Sequence, residues 1–537
     1  MKELNLKMLI GIFTLTLLGC GGTADILSTP VENIDMTPLK VSDLTEEEMK
    51  RWGHLDLVAD TIPGMSVDKA YSEIIKGKKG KTTVVAIIDS GIDIDHEDLD
   101  GVVWKNKDEV PNNGRDDDNN GFIDDVHGWN FLGDSYDEQM EYVRLLASGN
   151  TSHPRFAEAK AELEKEYNEA LNNKTRYEQI LQQIKQADAA VAAHLNKKEY
   201  TRDDVYAIKS EDQTLMQQVS IIKQTYGFGI GSISETITEI QDGVEYFTER
   251  LNYHFNKDFR GRKSGDDPDD FSSVVYGDNN VKPKKDSESH GTHVAGIVAA
   301  ERNNGKGVNG VANNVQIMSI RAVPNGDEYD KDVALAIRYA ADNGAHIINT
   351  SFGKYYSPHS NKVREAIVYA ASKDVLIVNA AGNESDDVDT KNAFPNDSFN
   401  NSPEVADNFI SVGALEPKYG SGVVASYSNY GKKNVDVFAP GSSIYSTIPG
   451  DKYKSQPGTS MAAPAVAGVA ALIRSQYPKL TASQVKQILV ESGLPLNTKV
   501  VVGGDSNDVR AFGELSKSGK IVNAYNALIM ASKMAAQ

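Results

Sequence analysis

Six short apolar runs, rich in β-branched residues, constrain this chain more than any other feature. The first is Thr82-Thr83-Val84-Val85-Ala86-Ile87-Ile88-Asp89, unbroken by polar residues from Val84 to Ile88. A strand wetted on one face alternates polar and apolar side chains. An unbroken run suits a strand buried on both faces of a parallel sheet. Similar runs recur at 315–323, 346–351, 375–380, 409–414 and 434–439. Between several of them lie helical patterns, at 332–341, 362–372, 461–475 and 482–491. This alternation predicts an α/β domain with a mostly parallel sheet.

The stretch from about 137 to 255 departs from that rhythm, with three long helical patterns and no strand. The first spans about 154–195 and places Leu163, Tyr167, Ala170, Tyr177, Leu181 and Ile184 near a 3–4 spacing. The second opens at Thr201-Arg202-Asp203-Asp204, a capping-box pattern, and runs to about 224. The third carries Ile233, Ile237, Ile240, Val244, Phe247 and Leu251 in a 4-3-4-3-4 series. These are amphipathic helices of a bundle or coiled coil. Residues 137–258 therefore read as a helical insertion dividing one domain into a first part, 51–136, and a second, 259–537. Cap chemistry at Ser42-Asp43-Leu44-Thr45-Glu46-Glu47-Glu48 predicts a short helix to about Trp52, and 66–75 a second.

At the N-terminus, Lys2 and Lys7 precede an apolar run at 8–18 that ends in Leu17-Leu18-Gly19-Cys20. The run is too short to span a bilayer and reads as an export signal over 1–19. Leu-Leu-Gly-Cys resembles a bacterial lipobox, which implies cleavage before Cys20, lipidation of its thiol and a membrane anchor. Residues 20–50 then serve as tether and N-terminal segment. Cys20 is the sole cysteine, so no disulfide framework supports an exported fold. Stability must come from the core and from bound metal. With 56 Lys+Arg against 76 Asp+Glu, the formal charge of −20 argues against nucleic acid or an anionic bilayer surface as the main partner.

Four blocks carry chemistry. Asp89 ends the first buried run, where open α/β sheets bind ligands. Ser289-His290-Gly291-Thr292-His293-Val294-Ala295-Gly296 begins a helix, with His290 in its first turn. Ala380-Ala381-Gly382-Asn383 follows another buried run. Gly458-Thr459-Ser460-Met461-Ala462-Ala463-Pro464 sets a serine just inside a helix start. There the glycine permits a sharp turn, and unpaired N–H groups face a developing oxyanion.

These four blocks, in this order, closely resemble the subtilisin-like serine peptidases (subtilases, peptidase family S8), over roughly 82–131 and 265–528. The resemblance implies a subtilisin-like three-layer α/β fold and a serine endopeptidase acting on proteins or peptides through an acyl-enzyme. It assigns Ser460 as nucleophile, His290 as general base, Asp89 as its orienting carboxylate and Asn383 as an oxyanion donor. It places the specificity pocket between Ser351-Phe352-Gly353 and Ala380-Ala381-Gly382, and makes His293 structural. Two rival functions share these residues: a transpeptidase, in which an amine resolves the acyl-enzyme, and a catalytically silent binding protein. The separation of 201 positions from Asp89 to His290 exceeds the connection in compact family members. No inhibitory prodomain pattern, common in the family, is evident between Cys20 and the first run.

One further loop points to metal. Asp116-Asp117-Asp118-Asn119-Asn120-Gly121-Phe122-Ile123-Asp124 has oxygen donors at positions 1, 3, 5 and 9 with Gly at 6, the front of an EF-hand-type Ca²⁺ loop. The expected ligands are Asp116, Asp118, Asn120 and Asp124, holding a structural Ca²⁺. Position 12 is His127 rather than Glu, and Asp125 is the alternative donor.

Overall fold

The computed structural model describes residues 29–30, 40, 42–228, 231–285 and 287–537. The export signal at 1–19, Cys20 and most of the tether lie outside the described residues.

Among the described residues, nine strands form the central sheet: β1 (Thr83–Asp89), β2 (Gly128–Asn130), β3 (Val315–Arg321), β4 (Ile347–Thr350), β5 (Leu376–Ala380), β6 (Phe409–Leu415), β7 (Val437–Pro440), and two short strands near the C-terminus. A hairpin of β8 (Ile444–Ile448) and β9 (Lys452–Gln456) precedes β10 (Leu494–Pro495). A second hairpin, β11 (Lys499–Val502) with β12 (Asp505–Ala511), precedes β13 (Lys520–Ile521). The sheet order is β10-β13-β7-β6-β5-β4-β1-β3-β2, and every pairing in it is parallel except β10 with β13. From β1 the chain first builds β2 and β3 on one side, then marches through β4 to β7 on the other. The strand order thus reverses beside β1, which makes its C-terminal end the switch point at which open α/β sheets bind ligands.

The unbroken apolar runs are buried as expected. One face of the sheet packs under the helices His290–Ala299 and Thr459–Gln476, in a core that includes Val85, Ile87, Val294, Val466 and Val469. The other packs under Asp330–Asp342 and Ser360–Ser372, with Ile88, Ile320, Ile337, Ile348 and Ile367. This is the expected mostly parallel α/β sandwich of three layers.

Between β2 and β3 the chain forms the helices Glu141–Ala147, Phe156–Leu195, Arg202–Ala207, Gln213–Gly227 and Ile233–Glu249. The 40-residue helix Phe156–Leu195 extends about 60 Å. The pattern expected as one helix from 201 to 224 is two, because Asp212 caps a new start by accepting from the N–H groups of Thr214 and Leu215. The Ile233 series holds to Glu249, where a π-helical turn, Arg250–His254, takes over. One cluster of the helices, with Ile184, Val191, Val205, Ile222 and Tyr226, is formed within this stretch. Another, with Tyr142, Val143, Ala159, Ala170 and Phe255, incorporates Tyr356 from the loop after β4. The helices are therefore rooted in the body beside the end of that strand.

Candidate active site

Asp89 closes β1 and is only 1% exposed. Its Oδ1 accepts from His290 Nδ1 at 2.8 Å and from the Ser90 N–H at 2.8 Å, while Oδ2 is buried with no hydrogen-bond partner. The approach depends on Gly291: a Cβ there would overlap the Gly91 carbonyl and come within 3.2 Å of Asp89 Cβ. A bare glycine in the first turn thus lets the helix start press against the end of β1. Burial pulls the His290 imidazolium toward deprotonation, but the charge and hydrogen bond of Asp89 outweigh it and raise its pKa above the ordinary histidine value. His293, one turn on, contacts the Lys454 carbonyl through Nε2 at 2.9 Å, and burial lowers its pKa to about 4. That contact fastens the helix to β9, in keeping with a structural role.

Ser460 lies at the second position of Thr459–Gln476, behind Gly458 at φ +147°, a conformation that side-chain-bearing residues rarely adopt. Its Oγ donates to the Ser351 carbonyl at 3.1 Å. Ser351 answers by donating its own Oγ to the Ser460 carbonyl at 2.8 Å, which locks the strand end to the helix start. Asn383 Oδ1 accepts from both the N–H (2.9 Å) and the hydroxyl (3.0 Å) of Thr459. The amide is thereby oriented with Nδ2 as its remaining donor, on an exposed side chain next to the helix N-terminus. The same Thr459 hydroxyl accepts from the Gly382 N–H at 3.1 Å.

Of the expected pocket walls, Ser351-Phe352-Gly353 continues β4 and Ala380-Ala381-Gly382 continues β5; the two strands pair in parallel through Thr350 and Asn379. Ser351 and Gly382 each tie their wall to the 459–476 helix. Beyond Gly353, the Tyr355 hydroxyl donates to Glu384 Oε2 at 2.8 Å, so the walls are bridged. Arg155 from the helical stretch donates to the Tyr355 carbonyl at 2.6 Å and lies 3.6 Å over the Tyr356 ring.

Sequence reasoning missed three supports. Buried Arg321, at the end of β3, donates Nε to the Ser90 carbonyl (2.9 Å) and pairs with Glu288 (3.2 Å), so one guanidinium steadies the segments carrying Asp89 and His290. Buried Asn429 donates to the Ala381 carbonyl (2.9 Å) and accepts from the N–H groups of Glu384 and Asp386. Tyr427 accepts from the Gly458 N–H at 3.0 Å. No periodicity or spacing marks these residues, because each acts across more than 25 positions. The doublet Thr459-Ser460 was visible, but not that Thr459 orients Asn383.

The acidic loop differs from expectation. Asp116 accepts from the N–H groups of Asn120 (3.0 Å) and Gly121 (2.8 Å), and Asp124 from those of Asn113 (3.1 Å) and Gly114 (2.9 Å). Both carboxylates shape the turn. The convergent set is instead Glu109, Asp118 and Asp125, so of the four expected ligands Asp118 belongs to it and Asn120 borders it. Glu109 was missed because it precedes the loop pattern.

A family model described as the subtilase family matches residues 80–514. The chain belongs to the subtilase family. It is 41% identical over 299 residues to a thermophilic serine proteinase of Bacillus sp. (strain AK1), covering 56% of this chain and 62% of that protein. It is 38% identical over 227 residues to subtilisin DY of Bacillus licheniformis (42% of this chain, 78% of that one). It is 40% identical over 266 residues to thermitase of Thermoactinomyces vulgaris (49% and 83%). The subtilase thus spans less than two thirds of the first of these relatives and more of the other two. The matched interval contains all four motif blocks and also runs across the helical stretch.

Proposed function

We propose that this subtilase is a serine endopeptidase whose nucleophile is Ser460, with His290 as general base, Asp89 as orienting carboxylate and Asn383 as oxyanion donor. The observation that carries the reading is the 2.8 Å contact between His290 and buried Asp89, in one chain with a serine at a helix N-terminus beside an oriented amide. Because Nδ1 is engaged by Asp89, Nε2 is the nitrogen that takes the Ser460 proton. Rotation of the Ser460 hydroxyl away from the Ser351 carbonyl directs that proton to it. Oγ then bonds to the scissile carbonyl carbon, and the oxyanion accepts from Asn383 Nδ2 and the Ser460 N–H. As the intermediate collapses, His290 protonates the leaving amine, and water, deprotonated by the same imidazole, releases the acyl group.

Protein or peptide chains are the substrates, held between the wall 351–353 and the wall 380–382. The protein is exported, the signal is 1–19, and Cys20 carries the lipid anchor to a membrane. The helical segment 137–258 is an insertion in the peptidase domain, and Ca²⁺ in the acidic loop is a structural ion. Replacing Ser460 with Ala tests the catalytic reading: hydrolysis of a peptide library falls to background, fluorophosphonate labelling is lost, and circular dichroism is unchanged. Turnover persisting in the folded variant overturns it.

A further inference from the structure

The two pocket walls carry little bulk. Gly353 has no side chain, Ala380 and Ala381 end at Cβ, and a Cβ on Gly382 would come within 2.2 Å of Asn429 Nδ2. Phe352, the one large wall residue, belongs to the buried core that holds Ile348 and Ile367. Near Ser460 the slot between the walls is therefore lined by backbone and short side chains. Two residues past the end of each wall a bulky group crosses it. There Tyr355 donates its hydroxyl to Glu384 Oε2 at 2.8 Å and accepts from Asn429 Nδ2 at 3.0 Å.

The crossing ring is held from several sides. Asn429 also donates to the Ala381 carbonyl at 2.9 Å, which ties the phenol's partner to the second wall. The Lys391 ammonium lies 3.8 Å over the ring and pairs with Asp386 at 2.6 Å. Arg155 donates to the Tyr355 carbonyl at 2.6 Å and covers the ring of Tyr356, whose hydroxyl donates to Glu162 at 3.0 Å. Burial, and next the charge of Glu384, raise the phenol pKa, so the hydroxyl remains a donor at alkaline pH.

We propose that Tyr355 is a specificity-determining residue: its ring closes the slot, so that the residue supplying the scissile carbonyl is short, of alanine to valine size. The helical stretch holds the closure through Arg155 and Glu162. This rests on the reading of Ser460 as nucleophile and of the two walls as the pocket, and adds what that pocket admits. A side chain entering from the Ser460 end passes between the walls. Alanine stops short of the phenol. Phenylalanine has to displace it, breaking its bonds to Glu384 and Asn429 and its contact with Lys391.

The test compares peptides that differ only in the residue before the cleaved bond, alanine or phenylalanine, with the full chain as enzyme. The parent is expected to favour alanine in kcat/KM by about tenfold or more, the scale on which a pocket discriminates by size. Tyr355→Ala should raise the phenylalanine-to-alanine ratio by about tenfold or more, chiefly through KM. A merely structural role would lower both substrates together and leave the ratio unmoved. Circular dichroism checks folding, and Tyr355→Leu, which keeps apolar bulk but is shorter, carries the same test if the alanine variant does not fold. Arg155→Met should move the ratio in the same direction, and an unmoved ratio overturns the part given to the helical stretch. A parent that cleaves after phenylalanine as readily as after alanine, or a smaller rise in both folded Tyr355 variants, overturns the closure and leaves the peptidase reading intact. Absence of all hydrolysis and of fluorophosphonate labelling in the parent overturns both.

Discussion

Lys354 directly follows Gly353 of the proposed pocket wall and carries a buried ammonium into an acidic corner. Its Nζ lies 2.8 Å from Glu141 and 3.0 Å from Asp330, and donates to the Glu328 carbonyl at 2.6 Å. Burial alone would lower the lysine pKa, but Glu141 and Asp330 outweigh it and raise it. Burial would likewise raise Glu141, yet Arg144 and Lys354 hold its carboxyl at about 2. Lys354→Met retains most of the aliphatic volume and removes the charge. Breaking a buried pair from one side costs about 3–5 kcal/mol when a partner is left charged and uncompensated; here that partner is Asp330, which pairs with no other cation among the described residues, while Glu141 keeps Arg144. At roughly 2.1 cal/mol/K of unfolding entropy per residue, the matched interval 80–514 has an entropy of about 0.9 kcal/mol/K. The expected fall in melting temperature is therefore about 3–5 °C. A double-mutant cycle with Glu141→Gln, read by urea unfolding in the Ser460→Ala background, should give a coupling of about 1–3 kcal/mol. In the active enzyme Lys354→Met should raise KM more than it lowers kcat, since the wall loses its anchor to the helix Glu141–Ala147. Single-variant losses that add to within about 0.5 kcal/mol, together with an unchanged KM, would refute the clamp.

Two further predictions concern the imidazole. Gly291→Ala forces the 290–299 helix off the Gly91 carbonyl and Asp89, and a displacement near 1 Å should lower kcat/KM on the order of 100-fold with the melting temperature little changed; wild-type kinetics in a folded variant would contradict it. His290 must be neutral to accept a proton, and its pKa is raised by Asp89, so kcat/KM should climb with pH through a value above 6.5. In Asp89→Asn burial is left unopposed: the acid limb should move to lower pH while kcat drops on the order of 10⁴-fold, and an upward shift of that limb would contradict the assignment.

The β-branched runs located β1 and β3 through β7, because a strand buried on both faces is apolar along most of its length. They did not reveal β2, three residues long, or β10 and β13, two each, since such lengths carry no period. The hairpins β8–β9 and β11–β12 were also unmarked, because β9 and β12 are largely exposed and their partners β8 and β11 bury only two residues each. The second helix start at Gln213 carries a local signal, the Asp212 cap, which the expectation of one continuous helix to about 224 passed over.

By itself the sequence determined the residue types of the site and the segments that carry them: a carboxylate at a buried strand end, an imidazole and a hydroxyl at helix starts, an amide after another strand. Those are local properties, fixed by burial and by backbone groups within a few residues. Only the tertiary structure decided that Arg321 and Asn429 brace these segments, that Lys354 joins the loop after β4 to the helical stretch, and that Glu109 rather than Asp116 meets Asp118 and Asp125. Each of those partnerships depends on which polar atoms folding leaves without water. That is settled where distant segments meet in the packed interior, not by neighbours along the chain.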